Sequence, residues 1–377
     1  MTPYTGLLFF YILALALVPA VALGLAGRSL RGYGLAFSVG MLCILFGLNG
    51  QLLFLAVFAA WELGLCGLFW RLRRRPRPAL WVAVVLALLP LALVKVGEVW
   101  APLGFFRLMG VSYMTFRAVE VLLNCYDGRL KSLHFGDLCY FLLFFPAVSA
   151  GPIDRFKRFC GDIAAAPGRE AYLELLRQGV WKLAGGAFGG ILLGGLLQAY
   201  WLAPLPERGL GATLSYMYGY TLFLFCNFAG YSSMAIGTGY LLGVRVPENF
   251  RQPFLSVDMK EFWSRWHSTL STWLRDYVYS RFVLRSLKQR RFRNPRTASY
   301  LGYLLTMLAM GLWHGLAPHY LAYGAYHSAL MCLNEALDLH WRPFKKLKKQ
   351  GAGQLCCALV TFHLFAFGLL IFSGRLF

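Results

Sequence analysis

Charged residues are scarce in this chain, and acidic residues are the scarcest. Of its 377 residues 14% are charged and 58% are hydrophobic, whereas an average soluble domain carries about 25% charged residues. The hydrophobic residues recur in runs of roughly 15 to 25, long enough to cross a hydrocarbon core of ~30 Å. The sequence therefore predicts an all-α polytopic membrane protein, with about 10–11 transmembrane helices plus re-entrant and interfacial helices.

Metal-binding patterns are also lacking. The nine cysteines show no CxxC pair and no Cys/His zinc spacing, and the seven histidines do not form an HExxH motif. We expect no metal site. The first apolar run has no basic residues before it, and we expect it to remain as a helix.

The net charge of +21 comes from 37 basic and 16 acidic residues. The basic residues stand in short clusters between apolar runs, as in RLRRRPR at 71–77 and WRPFKKLKK at 341–349. Clusters of this kind mark cytoplasmic loops, so the positive-inside rule explains the charge better than nucleic-acid binding. Alternation of the loops then places both termini outside.

One integral-membrane domain, 1–377, is expected, and no internal repeat is evident. We divide it into N-terminal helices at 1–100, a central core at 104–337, and a basic loop with a last span at 338–377. The predicted spans lie at about 6–26, 33–47, 51–70, 79–96, 177–202, 212–244, 300–317, 319–337 and 354–374.

Two segments indicate a polar cavity inside the membrane. The segment 140–159 has only about a dozen apolar residues, broken by Pro146, Gly151 and Pro152, with basic residues on both sides. It is too short to cross and is predicted to be re-entrant, because broken backbone at that depth must be buried in protein or line water. Arg107, Arg117 and Glu120 are unusual at membrane depth. Arg117 and Glu120 either pair at i,i+3 or line a polar pocket.

Two histidines stand out in the stretch from Lys260 to Ala329. His267 is framed by tryptophans in an amphipathic, arginine-rich segment that suits an interfacial anchor or a docking surface. His314 is predicted to lie well inside the apolar span that follows, flanked by Gly311 and Gly315. An ionisable residue there is a candidate functional residue, although a neutral histidine bonded to a neighbouring helix is the alternative. A neutral imidazole in a desolvated pocket is a suitable general base for deprotonating an attacking hydroxyl.

Four motifs resemble blocks of the membrane-bound O-acyltransferase family, in the same order. They are GVSYMTF (110–116), FFPAVSAGPIDRFKRF (144–159), FWSRWHSTLSTWLRDYVY (262–279) and MGLWHG (310–315). The similarity is strongest to the branch that transfers D-alanine to teichoic acids. It implies a ring of helices around a tunnel, with no bound cofactor and a donor thioester on the phosphopantetheine arm of a carrier protein.

The resemblance also implies roles for residues and partners. It matches His314 to the catalytic histidine and His267 to its companion, and it places tunnel- or pocket-lining residues at Arg117, Trp266, Asp276 and Trp313. A D-alanyl carrier protein would dock on the cytoplasmic face at Arg281, Val283, Leu284 and Arg285, where basic charge suits an acidic carrier. The expected acceptor side comprises an extracellular transfer partner protein and lipoteichoic acid.

Three other functions remain open from the sequence. An exopolysaccharide O-acetyltransferase of the alginate type also uses an external acceptor. A transporter or flippase would use His314 as a proton relay, but such proteins often show paired broken helices and only one broken segment is evident here. A scaffold without chemistry would tolerate substitution of His314.

Overall fold

The computed structural model describes residues 2–48, 50–72, 76–100, 109–349 and 351–377. Within these ranges every regular element is helical and no strand occurs. Short 3-10 turns lie at Phe145–Ala147 and Pro253–Leu255, and π-helical turns lie at Phe188–Leu193, Leu197–Leu202 and Arg275–Tyr279. The α-helices are α1 (Leu7–Leu25), α2 (Arg31–Leu48), α3 (Leu52–Arg71), α4 (Arg77–Gly97), α5 (Val111–Tyr126), α6 (Phe135–Leu142), α7 (Phe156–Ala164), α8 (Arg169–Ala187), α9 (Gly194–Leu196), α10 (Leu210–Leu241), α11 (Met259–Arg265), α12 (Ser268–Leu274), α13 (Ser280–Lys288), α14 (Pro295–His314), α15 (Pro318–His340), α16 (Arg342–Leu347) and α17 (Gly351–Phe372).

The first four helices begin and end within two residues of the predicted spans. Among the described residues six helical stretches are long and apolar enough to cross a membrane, namely α1 to α4, Arg169–Leu202 and α17. The predicted all-α membrane class is confirmed. The count of ten or eleven crossings stays a prediction.

Some predictions fall on residues outside the described ranges. They concern the arginines at 73–75, Arg107, and the first residues of the predicted core at 104–108.

The chain divides into two compact units. Unit 1 comprises Met1–Ile191 and Phe228–Pro247, and unit 2 comprises Leu192–Asn227 and Glu248–Phe377. The predicted domain limits stay a prediction.

Unit 1 contains the predicted broken segment. Helix α6 ends at Leu142, a single 3-10 turn follows, and α7 begins only at Phe156. The break leaves backbone carbonyls without helical partners, and these need donors when they are buried. The fully buried guanidinium of Arg117 on α5 supplies them, donating to the carbonyls of Phe141 at 2.9 Å, Leu142 at 3.4 Å and Ala147.

Arg117 and Glu120 thus have separate partners. The Glu120 carboxylate accepts from the Asn124 side chain and, at 3.2 Å, from the backbone N–H of Phe156 at the start of α7. Each charged residue of α5 therefore holds one side of the broken segment. This arrangement differs from the i,i+3 pair that the sequence offered as one alternative.

Glycine in α10 serves close helix packing, and α10 runs unbroken from Leu210 to Leu241. In unit 1 a methyl group placed on Gly230 would lie 2.4 Å from the backbone nitrogen of Gly190, and one on Gly186 would lie 2.6 Å from the Gly230 carbonyl. The backbones touch directly at these positions, as in small-residue packing of membrane helices.

Unit 2 is built on the antiparallel pair α14 and α15. A methyl group on Gly311 would lie 2.4 Å from the Tyr320 carbonyl oxygen, and one on Gly324 would lie 2.5 Å from that of Met307. The two backbones are therefore in contact along the pair. This close approach fixes the turn at 315–317, directly after His314.

Candidate active site

His267 occupies a break between α11 and α12 in unit 2. Helix α11 begins at Met259, and the carboxylate of the preceding Asp258 caps it by accepting from the Glu261 N–H at 2.9 Å. After α11 the backbone is extended at Trp266 and left-handed at His267, with φ 41° and ψ 48°. Few non-glycine residues adopt this conformation, and it persists only where neighbouring contacts hold it.

Asn249 supplies those contacts. Its side-chain oxygen lies 3.2 Å from His267 Nδ1 and accepts from the Thr269 hydroxyl at 2.5 Å, while its backbone carbonyl accepts from the Ser268 N–H at 2.9 Å. Because an amide oxygen only accepts, Nδ1 of His267 carries the proton. The basic lone pair of the imidazole is then on Nε2.

His267 is held in its neutral form. It is almost completely buried, and Asn249 is fully buried. Burial, with a smaller contribution from the charge of His314, lowers the pKa of His267 to about 3. A neutral imidazole of fixed tautomer can accept a hydrogen bond at Nε2 at any physiological pH.

His314 is the last residue of α14 and is only partly buried. Its ring centroid lies 4.8 Å from Phe372, 6.0 Å from Tyr320 and 6.2 Å from Tyr323, the first and last in edge-on contacts. The His314 side chain therefore projects from the end of α14 among aromatic rings and remains partly accessible.

The predicted end of the helix that carries His314 is wrong, while its depth in the membrane stays a prediction. We expected a span over 300–317, whereas α14 starts at Pro295 and ends at His314. Gly315 follows in an extended conformation and Pro318 starts α15. Gly315 followed by Pro318 favours a helix end at this point. Gly315 also lies against the Tyr320 ring, where an added methyl group would come within 2.5 Å.

Trp313 connects the two histidines. Its ring centroid lies 6.2 Å from that of His267 and 4.4 Å from that of His314. The two imidazoles thus share one neighbourhood in unit 2, although 46 positions separate them in the sequence. One accessible and one buried imidazole beside an indole form a site suited to proton transfer from a bound hydroxyl.

The other predicted pocket-lining residues are Trp266, Asp276 and Arg117. Trp266 packs in an aromatic cluster with Phe250, at 5.0 Å between centroids, and Phe365, at 4.7 Å. Asp276 lies on the π-helical turn and pairs with Arg275 at 3.1 Å. Arg117 belongs to unit 1. A tunnel-lining role for these three stays a prediction.

The sequence matches the model of the membrane-bound O-acyltransferase family over residues 40–374. The chain belongs to the membrane-bound O-acyltransferase family. It is accordingly an acyltransferase and a multi-pass bacterial membrane protein.

Named relatives are similar along the whole chain. The chain is 37% identical to the teichoic acid D-alanyltransferase of Bacillus subtilis (strain 168), across 100% of this chain and 98% of that protein. It is 35% identical to the protein of that name from Streptococcus thermophilus, across 99% and 95%. A probable alginate O-acetylase of Pseudomonas fluorescens is 32% identical, across only 62% of this chain and 46% of its own length.

The predicted docking residues lie on α13. Leu284 is 66% exposed and Arg285 is also exposed. Arg281 lies over the Tyr277 ring at 5.8 Å, and Val283 packs on Gly302 of α14. In this acyltransferase α13 therefore presents a leucine and an arginine to solvent while Val283 anchors it.

Sequence reasoning missed several residues around the histidines. Asn249 lies 18 positions before His267, and no periodic spacing connects them. Tyr323 and Phe372 surround His314 from two other helices. His327 is fully buried between Trp263 and Tyr323, at 5.1 and 4.5 Å between ring centroids. An asparagine next to a helix break is the one signal that could have found Asn249.

Proposed function

We propose that this acyltransferase transfers D-alanine from a carrier-protein thioester across the membrane toward lipoteichoic or teichoic acid. One observation carries the proposal. His267, Trp313 and His314 form a single site in unit 2, within a chain similar along its full length to proteins named teichoic acid D-alanyltransferases.

In the proposed reaction His314 is the general base. A hydroxyl oxygen of the acceptor attacks the thioester carbonyl carbon, and its proton passes to His314. The new C–O ester bond forms, the C–S bond breaks, and the phosphopantetheine sulfur leaves as a thiolate that takes the proton back. His267 positions the reactants through Nε2, because its Nδ1 proton is committed to Asn249.

The donor is expected to be D-alanine thioesterified to the phosphopantetheine arm of a D-alanyl carrier protein. No cofactor bound to the chain itself is required for this transfer. The carrier would dock on α13, where Leu284 offers an apolar contact and Arg281 and Arg285 attract an acidic surface. The acceptor is lipoteichoic acid or an extracellular partner protein that passes D-alanine on to it.

We also propose that both termini face outward and that the clusters at 71–77 and 341–349 face the cytoplasm. The charge of these loops supports this orientation. Reporter fusions placed after Lys349 and after Phe377 should report opposite sides of the membrane, and reporters on the same side would refute it.

The acyl group decides between this function and an alginate-type O-acetyltransferase. The full chain, reconstituted in vesicles, is supplied with its carrier protein loaded with either D-alanine or acetate, each carrying a radioactive label. Faster loss of the D-alanyl label, dependent on His314, supports the proposal. Preferential use of the acetyl group would favour O-acetyl transfer.

A further inference from the structure

An apolar groove in unit 2 runs between α15 and α17 and is not part of the histidine site. One cavity of about 310 Å³ is lined by Leu333 and Leu337 of α15, Cys356 of α17, and residues of α16. A second, shallower cavity extends along α17 to Phe367. Val360 and Leu364 line both cavities, so the two form one continuous groove.

The length of the groove suits one lipid tail. From Cys356 to Phe367 helix α17 rises about 16 Å at 1.5 Å per residue. Half of a hydrocarbon core of ~30 Å is ~15 Å. The groove therefore extends over about the depth of one leaflet.

Helix α16 closes one end of the groove and is amphipathic. Trp341, Phe344 and Leu347, three residues apart, all line the cavity. Trp341 and Leu347 nevertheless remain 48% and 38% exposed. An aromatic residue with one apolar side and one accessible side is typical of the headgroup level of a membrane.

The opposite side of α16 is cationic. Arg342, Lys345, Lys346 and Lys349 are all exposed. Lys348 is instead held by Asp258 and Asp338, each at 2.6 Å, and this pairing fixes the segment against α11 and α15. Four solvent-facing cations thus lie on or beside the helix that closes one end of the groove.

We propose that this groove binds the acyl chain of an anionic phospholipid, with its phosphate held by the cations of α16. The apolar groove suits the acyl chain and the cations of α16 suit the negatively charged headgroup. A zwitterionic lipid has no net negative charge to pair with these cations. A basic pocket beside a transmembrane helix is a recurrent form of anionic-lipid site. The proposal does not depend on the acyl transfer reaction.

The experiment is native mass spectrometry of the full chain, purified in detergent and supplied with palmitoyl-oleoyl phosphatidylglycerol or phosphatidylcholine. The wild-type chain should retain phosphatidylglycerol in preference to phosphatidylcholine at low salt. In the double variant Lys345→Gln/Lys346→Gln, retention of phosphatidylglycerol should fall on the order of tenfold, because each juxtamembrane cation contributes to anionic-lipid affinity. The matched control Arg71→Gln/Arg77→Gln removes two exposed cations from α3 and α4 and leaves α16 intact, so it should retain the preference.

The part of the site that would bind the acyl chain is tested by placing a larger side chain in the groove. Val360 is 59% exposed and lines both cavities, so Val360→Trp should reduce retention of both lipids without unfolding the chain. Leu355→Trp adds a similar ring at an exposed position of α17 outside the cavity lining and should leave retention unchanged. Equal retention of the two lipids by the wild-type chain, or equal effects of each variant and its control, would overturn the proposal.

Discussion

At the scale of single residues, the site depends on how His267 is held. Its left-handed backbone is supported by Asn249, which contacts the His267 side chain, the Thr269 hydroxyl and the Ser268 N–H. One buried amide thus sets both the tautomer and the orientation of the imidazole. The geometry is established before any substrate binds, as preorganised catalysis requires.

The first prediction concerns Asn249→Ala. Removing the amide frees the imidazole to rotate, and a misplacement of about 1 Å can cost on the order of 10²-fold in rate. We expect transfer of D-alanine from the carrier to fall at least tenfold, with the folded yield of protein maintained in size-exclusion chromatography.

Asn249→Asp distinguishes positioning from simple stability. The carboxylate still accepts from Nδ1, so the orientation is kept, but its charge raises the pKa of His267. Activity should recover relative to Asn249→Ala, and its pH profile should shift upward relative to the wild-type chain. Equal activity of both variants at every pH would exclude a positioning role.

The second prediction follows from the lowered pKa of His267. The unfolded chain binds a proton at this residue near pH 6.5, whereas the folded chain does so only near pH 3. Stability contributed by the neutral His267 is therefore complete above pH 6.5 and declines as the pH falls, by up to about 1.4 kcal/mol per pH unit.

Thermal unfolding in detergent at pH 7 and pH 5 measures this effect. The melting temperature of His267→Gln should depend less on pH than that of the wild-type chain. His340→Gln, at an exposed histidine, should keep the wild-type pH dependence. The same pH dependence in all three proteins would show that His267 is not buried in its neutral form.

At the scale of elements, the α14–α15 pair determines where His314 lies. The backbones meet at Gly311 and Gly324, and α14 ends where Gly315 meets the Tyr320 ring. The position of the histidine is thus set by packing between helices and not by the length of its apolar run.

The third prediction is that Gly311→Ala destabilises unit 2. The new methyl group would lie 2.4 Å from the Tyr320 carbonyl oxygen, a backbone atom that cannot move alone. Overpacking of this kind costs about 1–3 kcal/mol. The melting temperature should fall, while Gly64→Ala in α3, with open space around the added methyl, should leave it the same or slightly higher. A wild-type melting temperature for Gly311→Ala would contradict the close packing.

The fourth prediction places carrier docking on α13. Leu284→Asp removes an exposed apolar contact and repels an acidic carrier, so the KM for the loaded carrier should rise about tenfold or more with little change in kcat. Leu255→Asp introduces the same change at an exposed leucine outside α13 and should have little effect. A reduced kcat at constant KM would indicate that Leu284 acts in some other way.

The sequence predicts those helices whose ends are marked by residues within the same segment. Spans α1 to α4 are fixed by apolar runs between charged or glycine-rich ends, and the proline-broken segment near Pro146 was evident for the same reason. The end of α14 was missed because Gly315 and Ala317 continue the apolar pattern. Gly315 followed by Pro318 is nevertheless a local helix-stop signal, and the contact with Tyr320 in the next helix adds to it.

At the scale of the whole molecule, the predicted site residues fall into two compact units. The histidines, Trp313 and the docking helix α13 belong to unit 2, and Arg117 with the broken segment belongs to unit 1. The sequence identified His267 and His314 through long motifs of the family. It could not identify Asn249 or Phe372, because contacts between distant segments leave no periodic pattern.

The central claim is that His314 is the general base in the transfer of D-alanine. The direct measurement is the release of labelled D-alanine from its carrier protein to an acceptor by the reconstituted full chain, comparing the wild-type protein with His314→Ala. His319→Ala is a matched control, because this histidine is the second residue of α15 and has no assigned role in the reaction.

We expect His314→Ala to lose at least 10²-fold in transfer rate, in keeping with the loss of a general base. Its folded yield and its binding of the carrier should match those of the wild-type chain, and His319→Ala should transfer D-alanine normally. Transfer at the wild-type rate by folded His314→Ala would contradict the account.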